Sequence, residues 1–345
     1  MVSVSRTGVS ILPDSEGKSS DPAPPIVRAT DGRFYTAAQS EPGRVLVWNA
    51  DGTFARMVGR RGDGPGEFSG QYLGLFAGPG GDLYVRSIGR WTVYGPDGVL
   101  RWIRPSTVAG DQNRVAILQD GAIVSSRPGN GFAFHVVRAA TDRVQSFEPL
   151  AVTPDASPLL SGRTIAAAGG TDFWALPIVG RGAGYKIELR DTTGQVRRTI
   201  RREVAWFPPG SDAPGPPSSD SRARNAGAWS GGRPPNSLDA IALDDRGLLF
   251  VYASVVLPTW RLRLQQSSTV RDEAGNPTWE VRDDSEFFET HLEIIDTRRG
   301  VVLASAVIPD AYRQFSNSRL GYQRATSPDG GFIAHIVEFS LQPRR

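Results

Sequence analysis

The chain of 345 residues contains no cysteine. That excludes disulfides, thiol nucleophiles and cysteine-ligated metals. It leaves the redox compartment open, since a chain without thiols tolerates oxidising and reducing surroundings alike. Lysine occurs only at Lys18 and Lys186, so the positive charge is carried almost entirely by arginine. The formal charge of +3 is small. A GC-rich genome accounts for the arginine together with the abundant Ala, Gly and Pro; an arginine-rich surface for anions or nucleic acid is the sharper reading. No apolar run reaches the roughly 18 residues that a membrane-spanning helix needs. The N-terminal stretch MVSVSRTGVSILPDSEG lacks the basic and apolar regions of a secretory signal, which leaves a cytoplasmic chain or one that follows a removed signal. Histidine is scarce as well: His135, His291 and His335.

Long helical periodicity is also missing. What the chain has instead is short alternating runs bounded by Gly, Asp or Pro, such as RVLVW (44–48), DLYVR (82–86), KIELR (186–190) and HLEII (291–295). Period-two alternation between turn residues is the strand signal, so the chain reads as all-β. A unit of strand, Asp/Gly turn and apolar strand recurs in six copies: ATDGRFYTA (29–37), GPGGDLYVRS (78–87), LQDGAIVSS (118–126), AGGTDFWAL (168–176), LDDRGLLFVYA (243–253) and SPDGGFIAHIV (327–337). Glycine takes positive φ without steric cost and aspartate tolerates it, which suits such hairpins. A second turn follows the first five copies and leads to a fourth strand. The sixth copy has no such follower, and a strand near Gly8–Leu12 has no unit before it. Closure resolves both: the N-terminal strand completes the last blade of a ring of six four-stranded blades. The predicted architecture is a six-bladed β-propeller in one domain over 1–345, an arrangement that protects strand edges.

Two intervals between the repeats are long. Residues 207–236 are rich in Pro, Gly and Ser and read as a loop; residues 258–290 alternate and predict an added hairpin. The first insertion joins strand four of blade four to strand one of blade five, and the second joins strands two and three of blade five. In an up-and-down blade both connections leave from the same face, opposite the Asp-Gly turns. Trp206, Trp229, Trp260 and Trp279 fall in or beside these insertions, with Arg261 and Arg263. Trp and Arg are enriched where binding energy concentrates, so these residues are the candidate partner-binding set on that face.

Catalytic signatures are sparse. Gly17-Lys18-Ser19 matches only the end of a phosphate-binding loop, with leucine at position 12 where glycine is required. G-x-S-x-G, H-E-x-x-H and the calcium-loop pattern do not occur. The three histidines lie in or beside strands of different blades. No catalytic residue, metal site or cofactor is predicted.

The stretch GRRGDGPGEF (59–68) lies between strand four of blade one and strand one of blade two. Its glycines permit a sharp change of direction, Pro65 stiffens it, and Phe68 is expected to anchor between blades. The Arg61-Gly62-Asp63 triplet reads as a consequence of that geometry rather than as an adhesion tag. The segment Asp51–Phe68 resembles NHL-repeat and related bacterial six-bladed propellers, which carry a G-x-x-G-x-G-P-G-x-F connector. The resemblance implies a non-enzymatic protein- or peptide-binding scaffold that is periplasmic or extracellular, an accessory subunit docked on a larger membrane complex. Other propellers of this kind are lactonase- or strictosidine-synthase-like hydrolases with a channel metal, for which Asp63, Glu67 and Asp239 are candidate carboxylates, and NHL-type RNA binders. Topology adds Arg60 and Arg61 to the partner-binding set, because this connector lies on the insertion face.

Overall fold

The computed structural model describes residues 2–11, 22–38, 43–68, 74–105, 114–126, 132–138, 143–149, 163–177, 183–212, 235–260, 265–271, 277–280, 287–308, 320–326 and 332–341. These form an all-β, six-bladed propeller. Five blades are antiparallel sheets of four strands in simple sequence order. Blade one comprises Pro22–Arg28, Phe34–Ala38, Val45–Trp48 and Phe54–Val58; blade two Gly74–Ala77, Leu83–Ser87, Arg90–Tyr94 and Leu100–Pro105. Blade three comprises Val115–Ile117, Ile123–Ser125, Phe132–Val137 and Val144–Pro149; blade four Ile165–Ala167, Phe173–Ala175, Tyr185–Arg190 and Val196–Arg202. Blade five comprises Ser237–Leu243, Leu248–Val256, Phe288–Asp296 and Val301–Ile308.

The sixth blade is closed by the N-terminal strand, as the sequence predicts. Among the described residues it has three strands: Leu320–Thr326, Phe332–Leu341 and the N-terminal Val2–Ile11. The closing strand pairs antiparallel from Val2↔Leu341 to Ile11↔Ala334, with a register shift between Ser5 and Val9. It therefore takes the third place in the blade, and no described strand lies outside it.

Strand position explains strand composition. Inner strands have a neighbouring blade on each face and read as unbroken apolar runs, as in VLVW of Val45–Trp48, where all four residues are buried. Outermost strands meet water and carry charge, as in VRRTIRR of Val196–Arg202. The core is correspondingly divided into six clusters, one per seam between adjacent blades. Phe68, Leu75 and Val85 pack with Val27, Val45 and Val58 at the first seam, and Ile11, Ala334 and Ile336 pack with Ile26, Phe34 and Trp48 at the last. That last cluster is the ring closing on itself.

On the Asp-Gly face, side chains of one blade reach over the turn of the next. Arg56 of blade one donates to the Asp97 carbonyl of blade two at 3.0 Å, and Arg198 of blade four donates to the Thr297 carbonyl of blade five. At the closing seam the same contact is backbone to backbone. Gly52 has φ +88°, and a Cβ there would stand 2.5 Å from the Ser10 carbonyl oxygen, so only glycine fits.

Candidate functional site

The connector 59–68 is built as the sequence anticipates. Arg60–Arg61 pairs in parallel with Glu67–Phe68, and Phe68 is fully buried between blades one and two. Gly59 has φ +76°, and a Cβ there would lie 2.0 Å from the Phe68 ring. Arg90 of blade two holds the loop through the carbonyls of Gly62, Asp63 and Glu67 at 3.1, 2.8 and 2.6 Å. Glu67 takes the Gly64 N–H at 2.8 Å and the Arg60 guanidinium at 2.6 Å. The Gly64 N–H and then Arg60 hold its carboxyl below the usual range. Glu67 is thereby occupied with holding its own loop. Arg60 and Arg61 are exposed, Arg60 with 75% of its side chain in solvent.

The seam between blades four and five, where both insertions leave the scaffold, groups aromatic and charged side chains. Trp206 follows the last strand of blade four and stacks on His291 of blade five, with ring centroids 4.4 Å apart and planes inclined by 25°. The edges of Tyr185 and Phe207 close on the indole at 5.8 and 6.0 Å. His291 Nε2 lies 2.8 Å from Glu289, and Arg202 reaches across the seam to Glu293 at 3.2 Å. Glu293 is buried, and burial pushes its carboxyl up despite Arg202. Tyr185 is pushed up by burial and by the Glu293 charge. Asn236, buried at the base of the first insertion, fixes the chain there: its amide donates to the Trp206 carbonyl at 3.3 Å and accepts the Val256 N–H at 3.0 Å. Period-two alternation explains the charge on this wall. In Phe288–Asp296, Glu289, His291 and Glu293 face blade four, while Leu292 and Ile294 face blade six. Sequence reasoning passed over this Glu-x-His-x-Glu alternation, which was visible as three polar residues on one face of an otherwise apolar strand.

The other predicted site residues are placed as follows. Trp260 is buried and packs on Phe287 at 6.5 Å, so it anchors the second insertion rather than offering surface. Trp279 lies in the second strand of a hairpin, Gln265–Arg271 with Pro277–Glu280, which is the hairpin expected there. Trp229, Arg261 and Arg263 lie outside the described residues, as do residues 213–234 of the first insertion.

The channel-metal carboxylates do not come together. Asp63 and Glu67 sit in the connector of blades one and two, whereas Asp239 is on the innermost strand of blade five. Asp239 accepts the hydroxyls of Ser237 and Ser254, and burial pushes its carboxyl up. No group of three or more potential metal ligands occurs among the described residues. Two of the histidines bond to serines of a neighbouring strand: His135 Nδ1 is 2.8 Å from Ser146 Oγ and His335 Nδ1 is 2.8 Å from Ser10 Oγ.

A separate charged network at the seam of blades three and four is structural in form. Glu188 receives Arg163 at 3.1 Å, Arg190 at 2.5 Å and Lys186, while Glu148 receives Arg163 at 2.5 Å and Arg190 at 2.6 Å. Both guanidiniums lie over the Phe134 ring, at 5.4 and 5.3 Å. Burial pushes Glu188 up, but Lys186 and Arg190 outweigh it and bring the carboxyl to about 2.

No family model matches the chain, and no curated protein matches it. Solved structures are similar to it. A protein of Bacteroides fragilis NCTC 9343 named as an exported protein is 12% identical, with 99% of this chain and 95% of that one covered and a TM-score of 0.51. A catalytically inactive virginiamycin B lyase from Staphylococcus aureus is 12% identical over 96% of this chain and 83% of that one, with a TM-score of 0.41. The WD40 domain of Neurospora crassa Pan2 is 10% identical over 85% and 68%, at 0.38. At these identities the likeness concerns the fold alone.

Proposed function

We propose that this propeller is a non-enzymatic scaffold whose insertion-bearing face binds a protein or peptide partner, and that it works outside the cytoplasm as an accessory subunit of a membrane-associated complex. The observation that carries the reading is the Trp206–His291 stack at the mouth of the blade four–five seam, set between the two insertions and flanked by Glu289 and Arg202. A half-buried indole held rigid by three aromatic neighbours loses little entropy when it is covered, and charged groups at its rim select what covers it. Arg60 and Arg61 extend the same face. The exported protein that shares the fold is in keeping with an extracytoplasmic site.

The test is site-specific photocrosslinking in the producing cell. A photoreactive residue at position 206 or 60 is expected to give a discrete adduct with one partner. The same residue at Val99, exposed on the opposite face, is expected to give none. Equal labelling from both faces would refute the reading. A nuclease-sensitive adduct would replace it with the RNA-binding alternative, and a small-molecule adduct with the hydrolase alternative.

A further inference from the structure

The outermost strands of the first four blades all carry charge: FARMV, LRWIRP, VQSFEP and VRRTIRR. That of blade five, VVLASAVI over Val301–Ile308, carries none and is the longest of the five. Of the seven large apolar side chains that are exposed among the described residues, three lie on this strand: Val301 at 40%, Leu303 at 38% and Val307 at 51%. It pairs with Phe288–Asp296 on one side only, so alternate backbone N–H and C=O groups along its outer edge have no strand partner among the described residues. Natural sheets blunt such edges with charge, because an uncharged edge is a template for another strand.

The surroundings of this edge are basic. Blade four supplies Arg198 and Arg202, which lie on the same face of its outer strand as the seam residue Ile200. Arg198 reaches the turn that begins the blade-five edge strand and Arg202 reaches Glu293, opposite Ser305 in the middle of it. Arg298 and Arg299 are exposed in that same turn. The carboxylates on this side are Glu293, paired with Arg202, Glu289, beside His291, and Asp296, which accepts the turn's own N–H groups. The edge is also continuous with the seam already described: Val307 stands directly opposite His291 and Ser305 opposite Glu293 in the sheet register.

We infer that blade five takes an extended segment of the partner as an additional, fifth strand along Val301–Ile308, and that this segment is acidic. This rests on the partner-binding reading above and specifies its mode. Backbone pairing along the edge supplies register, alternate apolar side chains of the incoming strand cover Ser305 and Val307 beside the Trp206–His291 stack, and its carboxylates meet the arginines of blade four and of the 297–300 turn.

The probe is a fluorescent peptide of about ten residues alternating Val or Thr with Glu, compared with its Lys counterpart by anisotropy on the full chain. The Glu peptide is expected to bind at least about tenfold more tightly than the Lys peptide, with the difference shrinking as salt rises. Val307→Lys places a charge on the edge without touching the core and is expected to weaken the Glu peptide roughly tenfold. Arg298→Glu with Arg299→Glu is expected to narrow the preference. Equal binding of the two peptides, or binding unchanged in Val307→Lys, overturns the inference. If Trp206→Ala abolishes binding while Val307→Lys does not, the face still binds and only the added-strand mode fails. A concentration-dependent dimer in light scattering that Val307→Lys dissolves would instead assign the edge to a second copy of this chain and overturn the proposal.

Discussion

Replacing Glu188 with glutamine keeps the shape of the side chain and deletes its charge. Arg163 and Arg190 would then share Glu148 alone, and Lys186 would lose its ion pair with Glu188. Removing one partner of a buried ion pair costs about 3–5 kcal/mol, because the opposite charge is stranded away from water. Here Arg163 and Lys186 keep 17% and 29% of their side chains in solvent, and screening lowers the expected cost to about 2–3 kcal/mol. The acid dependence follows from the same group. Its folded carboxyl titrates at about 2, below the ordinary 4.5, so its contribution is complete above the ordinary value and is lost as pH falls toward the folded one. Urea unfolding followed by tryptophan fluorescence is therefore expected to show Glu188→Gln about 2–3 kcal/mol less stable near neutrality, with the gap closing between about pH 5 and about pH 2. For a chain of this size the loss corresponds to about 3–4 °C in Tm. A cost below about 0.5 kcal/mol at neutral pH, or a gap that does not change with acid, would refute the argument that this network is electrostatically stabilising.

Three further outcomes follow from the connectors. Gly59→Ala forces a side chain into positive φ and into the Phe68 ring, and is expected to cost at least about 2–4 kcal/mol in denaturant unfolding, comparable with the roughly 3–5 kcal/mol of Phe68→Ala; a neutral Gly59→Ala would show that the loop relaxes freely. Arg90→Ala strands three loop carbonyls and is expected to cost about 2 kcal/mol and to speed proteolysis within 59–68. Gly52→Ala is expected to loosen the closing strand, read as faster hydrogen exchange at Val9–Ile11 with the middle blades unchanged; uniform protection would mean that the clash is absorbed elsewhere.

Much of the ring was legible in the sequence because its determinants are local. Asp-Gly turns and period-two runs mark the hairpins, and the place of GRRGDGPGEF between two such units fixed it as an interblade hinge. The two insertions were also legible, from composition and repeat spacing. The seams were not, because their residues are remote in the chain. Nothing local links Trp206 to His291, or Glu148 and Arg163 to Glu188, since each pair meets only after two blades pack. The place of the closing strand within the sixth blade was not legible for a related reason. A closing strand can occupy the third or the fourth place with the same alternation, and only its register against Phe332–Leu341 decides.

That closing strand also has a timetable. Val2–Ile11 leaves the ribosome before the rest of the ring, and its only described strand partner, Phe332–Leu341, follows it after all five other blades. At about 5–20 residues per second the gap lasts on the order of 20–60 s. Through all of it an alternating Val/Ser strand with a single charged side chain has no native mate, while blades one to five can form behind it. Every molecule therefore passes through an open-ring stage with one unpaired strand at each end of the break, and domain-swapped rings or capture by a chaperone would arise at that stage rather than from the finished propeller.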